Sequence, residues 1–368
     1  LNLHSIPELI NDIRLGRFVI LVDDEDRENE GDLMIAADFV TPESINFMAT
    51  TARGLVCLAL TPQQIERLKI PLMIREDLNG SPHRTAFTLS IESAKGVSTG
   101  ISAADRALTI KVASDPGSTP ADIIVPGHVF PIRAQTGGVL KRAGHTEASV
   151  DLAQLAGLKP AAAICEIMNA DGTMARLPDL LQFSEKYNIK ISSIEKLIQY
   201  RLENESFVQQ VAHAPLDSHL GKGFEIRIFR NLLDGLEHVV LSKGSLHGGE
   251  PLLVRVQVED LLNDVFGRIT PTAMTSANRE DILRRSLRKI DERGRGALVY
   301  MRRAQPLQVG GDVSPIRADD REYGVGAQIL RSLGVHQIQL LTNSKAKRVG
   351  LKAFGIEIVE TLPFEAQS

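Results

Sequence analysis

Tryptophan is absent from the 368 residues, aromatic side chains make up only 4%, and cysteine occurs twice. The two cysteines, Cys57 in LVCLAL and Cys165 in AAAICEIM, make no CxxC pair and no zinc-type cluster, which excludes a disulfide scaffold and a cysteine-built zinc module. Cys165 reads as a small buried hydrophobe, and the role of Cys57 stays open. There is no basic excess: 42 Lys and Arg stand against 46 Asp and Glu, a net charge of −4 without a basic arm, so nucleic acid is not expected as a partner. No apolar run approaches the roughly 20 residues of a membrane-spanning helix, and no membrane role is expected. The start, LNLHSIPELINDIRLGRF, has the spacing of an amphipathic helix rather than a signal peptide. The expectation is a cytoplasmic protein that acts on small molecules.

A chain of this length exceeds one ordinary core, which predicts two domains. From residue 1 to about 203, short β-rich runs (FVILV, LVCLAL, AFTLSIE, AAAICEIM, KISS) alternate with helical patterns such as TPESINFMATTAR, TPQQIERL and LPDLLQFSEKYN. The segment IEKLIQYRLENESFVQQVAHAPLD reads as a helix running on into a polar connector, placing the boundary near residue 205. Strands FEIRIF, HVVLS, LLVRVQ, ALVYM, IQLLT and IEIVE, with helices REDILRRSLRKIDERG and GAQILRSLG, fill the second half. The fold class that follows is α/β: two domains, 1–205 and 206–368, each a mixed β-sheet layered with α-helices.

Three clusters carry chemistry in the first half. LVDDEDRENEGD, residues 21–32, holds seven carboxylates between Asp23 and Asp32, with Arg27 among them, squeezed between apolar runs. Such runs are usually solvated. An acid from this loop together with a histidine of the later GHT could instead hold one hard divalent cation. The second cluster, residues 127–157, carries His128, Arg133, Lys141, Arg142, His145 and five glycines. Its RAGHT stretch at a helix start, with Thr146 as cap, suits a phosphate as well as it suits a simple glycine-rich turn. The third, CEIMNADGTMAR, puts Glu166 at a strand end, as a site acid or a surface acid.

Together, DDEDRENEGD, TARGLVCLAL, TAFTLSIESAKGVSTGISAADRALTI, PGHVFPIRAQTGGVLKRAGHTEASVDL and CEIMNADGTMAR resemble 3,4-dihydroxy-2-butanone 4-phosphate synthase, across residues 1–203. The resemblance implies conversion of D-ribulose 5-phosphate to L-3,4-dihydroxy-2-butanone 4-phosphate and formate in riboflavin biosynthesis, with Mg²⁺ or Mn²⁺. It implies Glu28 and His145 as metal ligands and His128 and Glu166 as catalytic groups. Arg27, Glu28, Asp32, Arg142, Ala143, Gly144, His145, Thr146 and Glu166 would contact substrate. Asp26, Glu30 and Cys57 are secondary candidates, and the family suggests a homodimer with active sites at the subunit interface. The polar loop at 70–88 is expected to act as a lid.

The second half resembles GTP cyclohydrolase II, through LLVRVQVEDLLNDVFG, RGRGALVYMR, ADDREYGVGAQILRSLGV and LLTNSKAKRVGLKAFGIEIVE. That enzyme requires a zinc held by three cysteines. Here Asp260 stands at the first cysteine position, RITPTAMTSANRED replaces the stretch with the others, and no cysteine follows Cys165. Asp319, Arg321 and Lys347 match, but without zinc ligands they have no activated water. The expectation is an inactive cyclohydrolase-like domain without Zn²⁺. The alternatives are a bifunctional enzyme with a rebuilt site at Asp260 and nearby histidines such as His247, or a nucleotide- or protein-binding module using Arg255, Arg302 and the basic helix at 279–295.

Overall fold

The computed structural model describes residues 3–218, 221–248, 250–266, 279–303, 320–342 and 356–363. The chain divides into two compact units, Leu1–Arg201 and Leu202–Ser368.

The first unit runs α1 (Ile6–Arg14), β1 (Val19–Val22), β2 (Gly31–Ala36), α2 (Pro42–Phe47), β3 (Cys57–Leu60), α3 (Pro62–Arg67), β4 (Ile91–Ser93), α4 (Ala103–Ser114), β5 (Ile123–Arg133), α5 (His145–Leu155), β6 (Ala161–Glu166), α6 (Leu177–Tyr187), β7 (Lys190–Ser193) and α7 (Ile194–Asn204). The strands form one mixed sheet in the order β4-β5-β3-β6-β2-β1-β7. Every residue of β1, β2 and β3 is buried, as expected of strands covered on both faces. Thr41 and Thr61 start α2 and α3 by accepting the amides of Ser44 and Gln64 at 3.2 and 3.3 Å.

Sheet register sets the site. Asp32 of β2 lies opposite Glu166 of β6, and Val22 opposite Gly31, so the acidic connection 23–30 crosses the end of the sheet beside Glu166. Cys57 of β3 pairs antiparallel with Ile164 and parallel with Phe130. Residues before Phe130, including His128, therefore point toward that same end.

Three local expectations change. The segment around GHVFP is the interior of β5, whose strand signal is broken by Gly127, Pro126 and Pro131. AFTLSIE yields only the short β4, with Phe87 and Thr88 reduced to isolated bridges. Helix α5 begins at His145 with Gly144 as its N-cap, so Thr146 is inside the helix rather than its cap: the Ala148 amide already bonds the Gly144 carbonyl at 2.9 Å.

The second unit contains β8 (Val208–Ser218), β9 (Gly221–Asn231), β10 (Glu237–Lys243), β11 (Leu252–Val258), α8 (Leu261–Asp264), α9 (Arg279–Arg293), β12 (Gly296–Met301), α10 (Asp320–Ser332), β13 (Gln337–Leu341) and β14 (Glu357–Leu362). Its mixed sheet is ordered β14-β13-β11-β12-β10-β9-β8. The stretch read as a polar connector is in fact β8, an edge strand with mostly exposed residues. An edge position explains both its polarity and its tolerance of Pro215. The basic α9 is amphipathic: Leu287 and Ile290 are buried against Phe224, Leu298 and Leu341.

Candidate active site

The acidic connection is organised around Asp23, whose side chain is 1% exposed. Its Oδ1 accepts the Glu30 amide at 2.8 Å, and its Oδ2 accepts the Glu28 amide at 3.1 Å and Arg27 Nη1 at 2.7 Å. A carboxylate used in this way shapes the loop from inside. Arg176, just before α6, clamps it from outside by donating to the carbonyls of Glu28 (2.9 Å) and Asn29. Asp24, Glu25 and Asp26 face solvent, Glu28 and Glu30 are half-buried, and Asp32 is buried.

Glu28 Oε2 lies 2.6 Å from Arg27 Nη1 and 3.8 Å from His145 Nδ1, and Asp32 Oδ1 is 3.9 Å from the same nitrogen. Ligand atoms of Asp23, Glu28 and His145 all fall within 4.8 Å of one another. Among the described residues, His145 Nε2 and Asp32 Oδ1 are buried with no hydrogen-bond partner. Charge is tightly linked here. His145, helped by Arg27, outweighs burial and holds Glu28 down to about 2. Burial, reinforced by Glu166, Glu30 and Glu28 and opposed by His145, lifts Asp32 to about 7. Burial works against the imidazolium of His145, but Asp32, Glu28 and Asp23 raise it to about 9. Burial and Glu28 push Glu30 up.

Glu166 is fixed by the 54–55 turn. Its Oε2 accepts the Leu55 amide at 2.8 Å, and its carbonyl accepts the Gly54 amide at 3.2 Å. A Cβ at Gly54 would overlap the Glu166 backbone, so only glycine permits this approach.

At the start of α5 the amides of His145 and Thr146 have no acceptor among the described residues. Ala143 is half-buried beside them, while Gly144 and Thr146 are buried. Arg142 is engaged on several sides: Nη1 donates to Glu147 Oε2 (2.6 Å), Nη2 to Thr85 Oγ1 (2.9 Å) and Nε to the His83 carbonyl (3.2 Å). It thereby ties α5 to the 70–88 loop, whose Met73, Ile74 and Leu78 are exposed.

The structure thus gathers Arg27, Glu28, Glu30, Asp32, His145 and Glu166. It sets His128 apart: β3 and β6 separate β5 from β2, about 14 Å by strand spacing. The His128 side chain is 45% exposed, and its Nδ1 lies 3.0 Å from Glu92 Oε1. Asp26 lies on the solvent side. Cys57 is a fully buried thiol, pushed well up by burial and by Glu166 and Asp32. Sequence reasoning missed Asp23 and Arg176, which hold the loop. Asp23 was hidden among like charges, and the contact of Arg176 with residues 28–29 is non-local.

In the second unit the Asp260 amide donates to Asp264 Oδ2 at 2.8 Å, and Tyr300 donates to the same oxygen at 2.9 Å. Asp260 follows β11, whereas His247 precedes that strand and packs at Gly334. A seven-residue strand spans about 20 Å, so these two residues cannot share one ion. Asp319, Lys347 and residues 268–278 of the cysteine-replacing stretch lie outside the described residues.

A model of the 3,4-dihydroxy-2-butanone 4-phosphate synthase family matches residues 7–200, and a GTP cyclohydrolase II model matches 209–312 and 312–363. The riboflavin biosynthesis protein RibBA of Aquifex aeolicus is 47% identical over 99% of this chain and 93% of its own. A monofunctional riboflavin biosynthesis protein, RIBA 2 of Arabidopsis thaliana, is 45% identical over 98% of this chain and 76% of its own. Among solved structures, RibBX of A. baumannii, a two-domain 3,4-dihydroxy-2-butanone 4-phosphate synthase, aligns with TM-score 0.75 and 40% identity over 99% of this chain and 100% of that one. A synthase crystallised with two magnesium ions aligns with TM-score 0.53 and 39% identity over 55% of this chain and 98% of that one. The chain therefore belongs to the 3,4-dihydroxy-2-butanone 4-phosphate synthase family of riboflavin biosynthesis, with a GTP cyclohydrolase II-like domain following the synthase domain.

Proposed function

We propose that residues 1–205 bind D-ribulose 5-phosphate across the end of the first sheet and release formate from it, leaving L-3,4-dihydroxy-2-butanone 4-phosphate. The observation that carries this reading is the Glu28–His145–Asp32 cluster beside the His145 and Thr146 amides of α5, which have no acceptor among the described residues. The phosphate is held at those amides, with Thr146, Ala143 and Gly144 lining it and Arg142 reaching it from its bonds to Glu147 and Thr85. Arg27 and Asp32 hold sugar hydroxyls.

A divalent ion fits the donor set. Glu28 offers a carboxylate oxygen and His145 an imidazole whose Nδ1 lies 3.8 Å from it, while the oxygens of Asp23 already serve three donors. Mg²⁺ or Mn²⁺ held by Glu28 and His145 would supply Lewis acidity at the substrate. The protein's own groups move the protons. Asp32, lifted to about 7, can be acid or base near neutrality. Glu166, oriented by the Leu55 amide, faces Asp32 across the ladder as the second carboxylate. His128 serves a further proton step; its distance from β2 accords with the homodimer, in which a second copy completes the site. The loop at 70–88 closes over the substrate, and the reaction is cytoplasmic. Substrate labelled with ¹³C at C4 tests this reading. Labelled formate, lost on chelation and restored by Mg²⁺ or Mn²⁺, is expected; unlabelled formate, or turnover that survives chelation, contradicts it.

The second unit, on this proposal, is a cyclohydrolase-like domain that neither holds zinc nor opens the guanine ring. The sequence supports this with Asp260 at a cysteine position and no cysteine after Cys165.

A further inference from the structure

We propose that Glu92 is a positioning residue for His128, fixing which ring nitrogen carries the proton. The proposal rests on the reading of His128 as a catalytic group. Glu92 Oε1 lies 3.0 Å from His128 Nδ1, on the neighbouring strand. A carboxylate accepts a hydrogen bond from Nδ1–H, which leaves Nε2 as the atom that takes a substrate proton.

Most ion pairs on half-exposed side chains are incidental. This one is built. The Glu92 side chain is only 17% exposed although His128 is 45% exposed. Its carboxylate rests on Gly100, where any Cβ would overlap Oε1, and Gly100 has a left-handed φ of 86°. The turn bearing Gly100 is clasped by buried Asp105, which accepts the Ser98 amide (3.2 Å), the Ser98 hydroxyl (2.8 Å) and the Gly100 amide (3.0 Å). On the other side, the register between β4 and β5 shifts between Ile91 and Glu92. Bulges of this kind re-aim a side chain. Gly127, next to His128, lies against the Ile91 backbone and donates to Ser90 Oγ at 3.2 Å. Both partners are therefore held by their backbones before substrate arrives.

The test compares Glu92→Gln, Glu92→Asp, His128→Asn and the Glu92→Gln/His128→Asn double variant in the full chain. Formate release gives kcat and KM, thermal unfolding checks folding, and ¹⁵N-histidine NMR reports the tautomer. Glutamine keeps the shape but brings an NH₂ that can donate to Nδ1. We expect Glu92→Gln to lower kcat about 10- to 100-fold with KM within about twofold. Its His128 should lose the pure Nδ1–H signature, Glu92→Asp should recover part of the rate, and no further loss should follow in the His128→Asn background. Wild-type kcat for Glu92→Gln beside an impaired His128→Asn overturns the proposal, as does a loss that multiplies fully in the double variant. Full activity of His128→Asn removes the role of His128 and this proposal with it. That failure is recognised by a tautomer that still changes in Glu92→Gln.

Discussion

Two carboxylates five residues apart do different work. Asp23 is closed off by three donors and builds the loop, while Glu28 turns outward to His145. Asp23→Asn removes charge-assisted bonds worth about 1.5–3 kcal/mol each and frees the loop. Lower thermal stability, weaker metal binding and at least a tenfold loss of kcat should follow, measured by calorimetry and formate release. Acidity adds a second residue-scale prediction. His145 is raised from 6.5 to about 9, so in the metal-free protein its stabilising contribution is complete below about 6.5 and is lost as pH rises through about 9. Asp32, raised from 3.8 to about 7, likewise costs stability as it ionises with rising pH. Glu28, lowered from 4.5 to about 2, contributes above about 4.5 and loses its effect only as pH falls through about 2. Unfolding temperatures in chelator should therefore fall between pH 6 and pH 9, and His145→Asn should flatten that slope. The sequence made the acidic run and GHT visible as candidates. It could not rank the seven acids, because their roles depend on which amides turn toward them.

At the scale of elements, periodicity revealed β1, β3 and β6, where buried apolar runs are continuous. It failed at β5, since Gly127 and two prolines interrupt the pattern of a strand held by non-local pairing. It also misread β8, whose exposed polar residues are those of an edge. The close approach of the 54–55 turn to β6 was equally illegible, being a contact between distant segments. Gly54→Ala tests its weight: the new methyl overlaps the Glu166 carbonyl and meets Oε2 at 2.6 Å. Overpacking of this kind costs about 1–3 kcal/mol. The variant should fold, unfold at lower temperature and lose more than tenfold in kcat as Glu166 is displaced.

For the whole molecule, the alternation of strand and helix signals was enough to expect two mixed α/β domains, and the chain divides at Arg201. The reading proposed for the second unit rests on subtraction. Its described residues form a seven-stranded sheet with a buried core, yet no cysteine follows Cys165. Metal analysis of the purified chain should find no stoichiometric zinc, and GTP should yield no formate; both together in the positive would make the protein bifunctional.

The central claim is that Glu28 and His145 jointly hold the ion on which synthase turnover depends. Magnesium titration by calorimetry, run alongside formate release from D-ribulose 5-phosphate, should be made on the wild-type chain, Glu28→Gln and His145→Asn. Each variant should stay folded, bind the ion at least tenfold more weakly and lose at least a hundredfold in kcat, an effect on the scale of metal catalysis. Wild-type turnover in either folded variant would contradict the account.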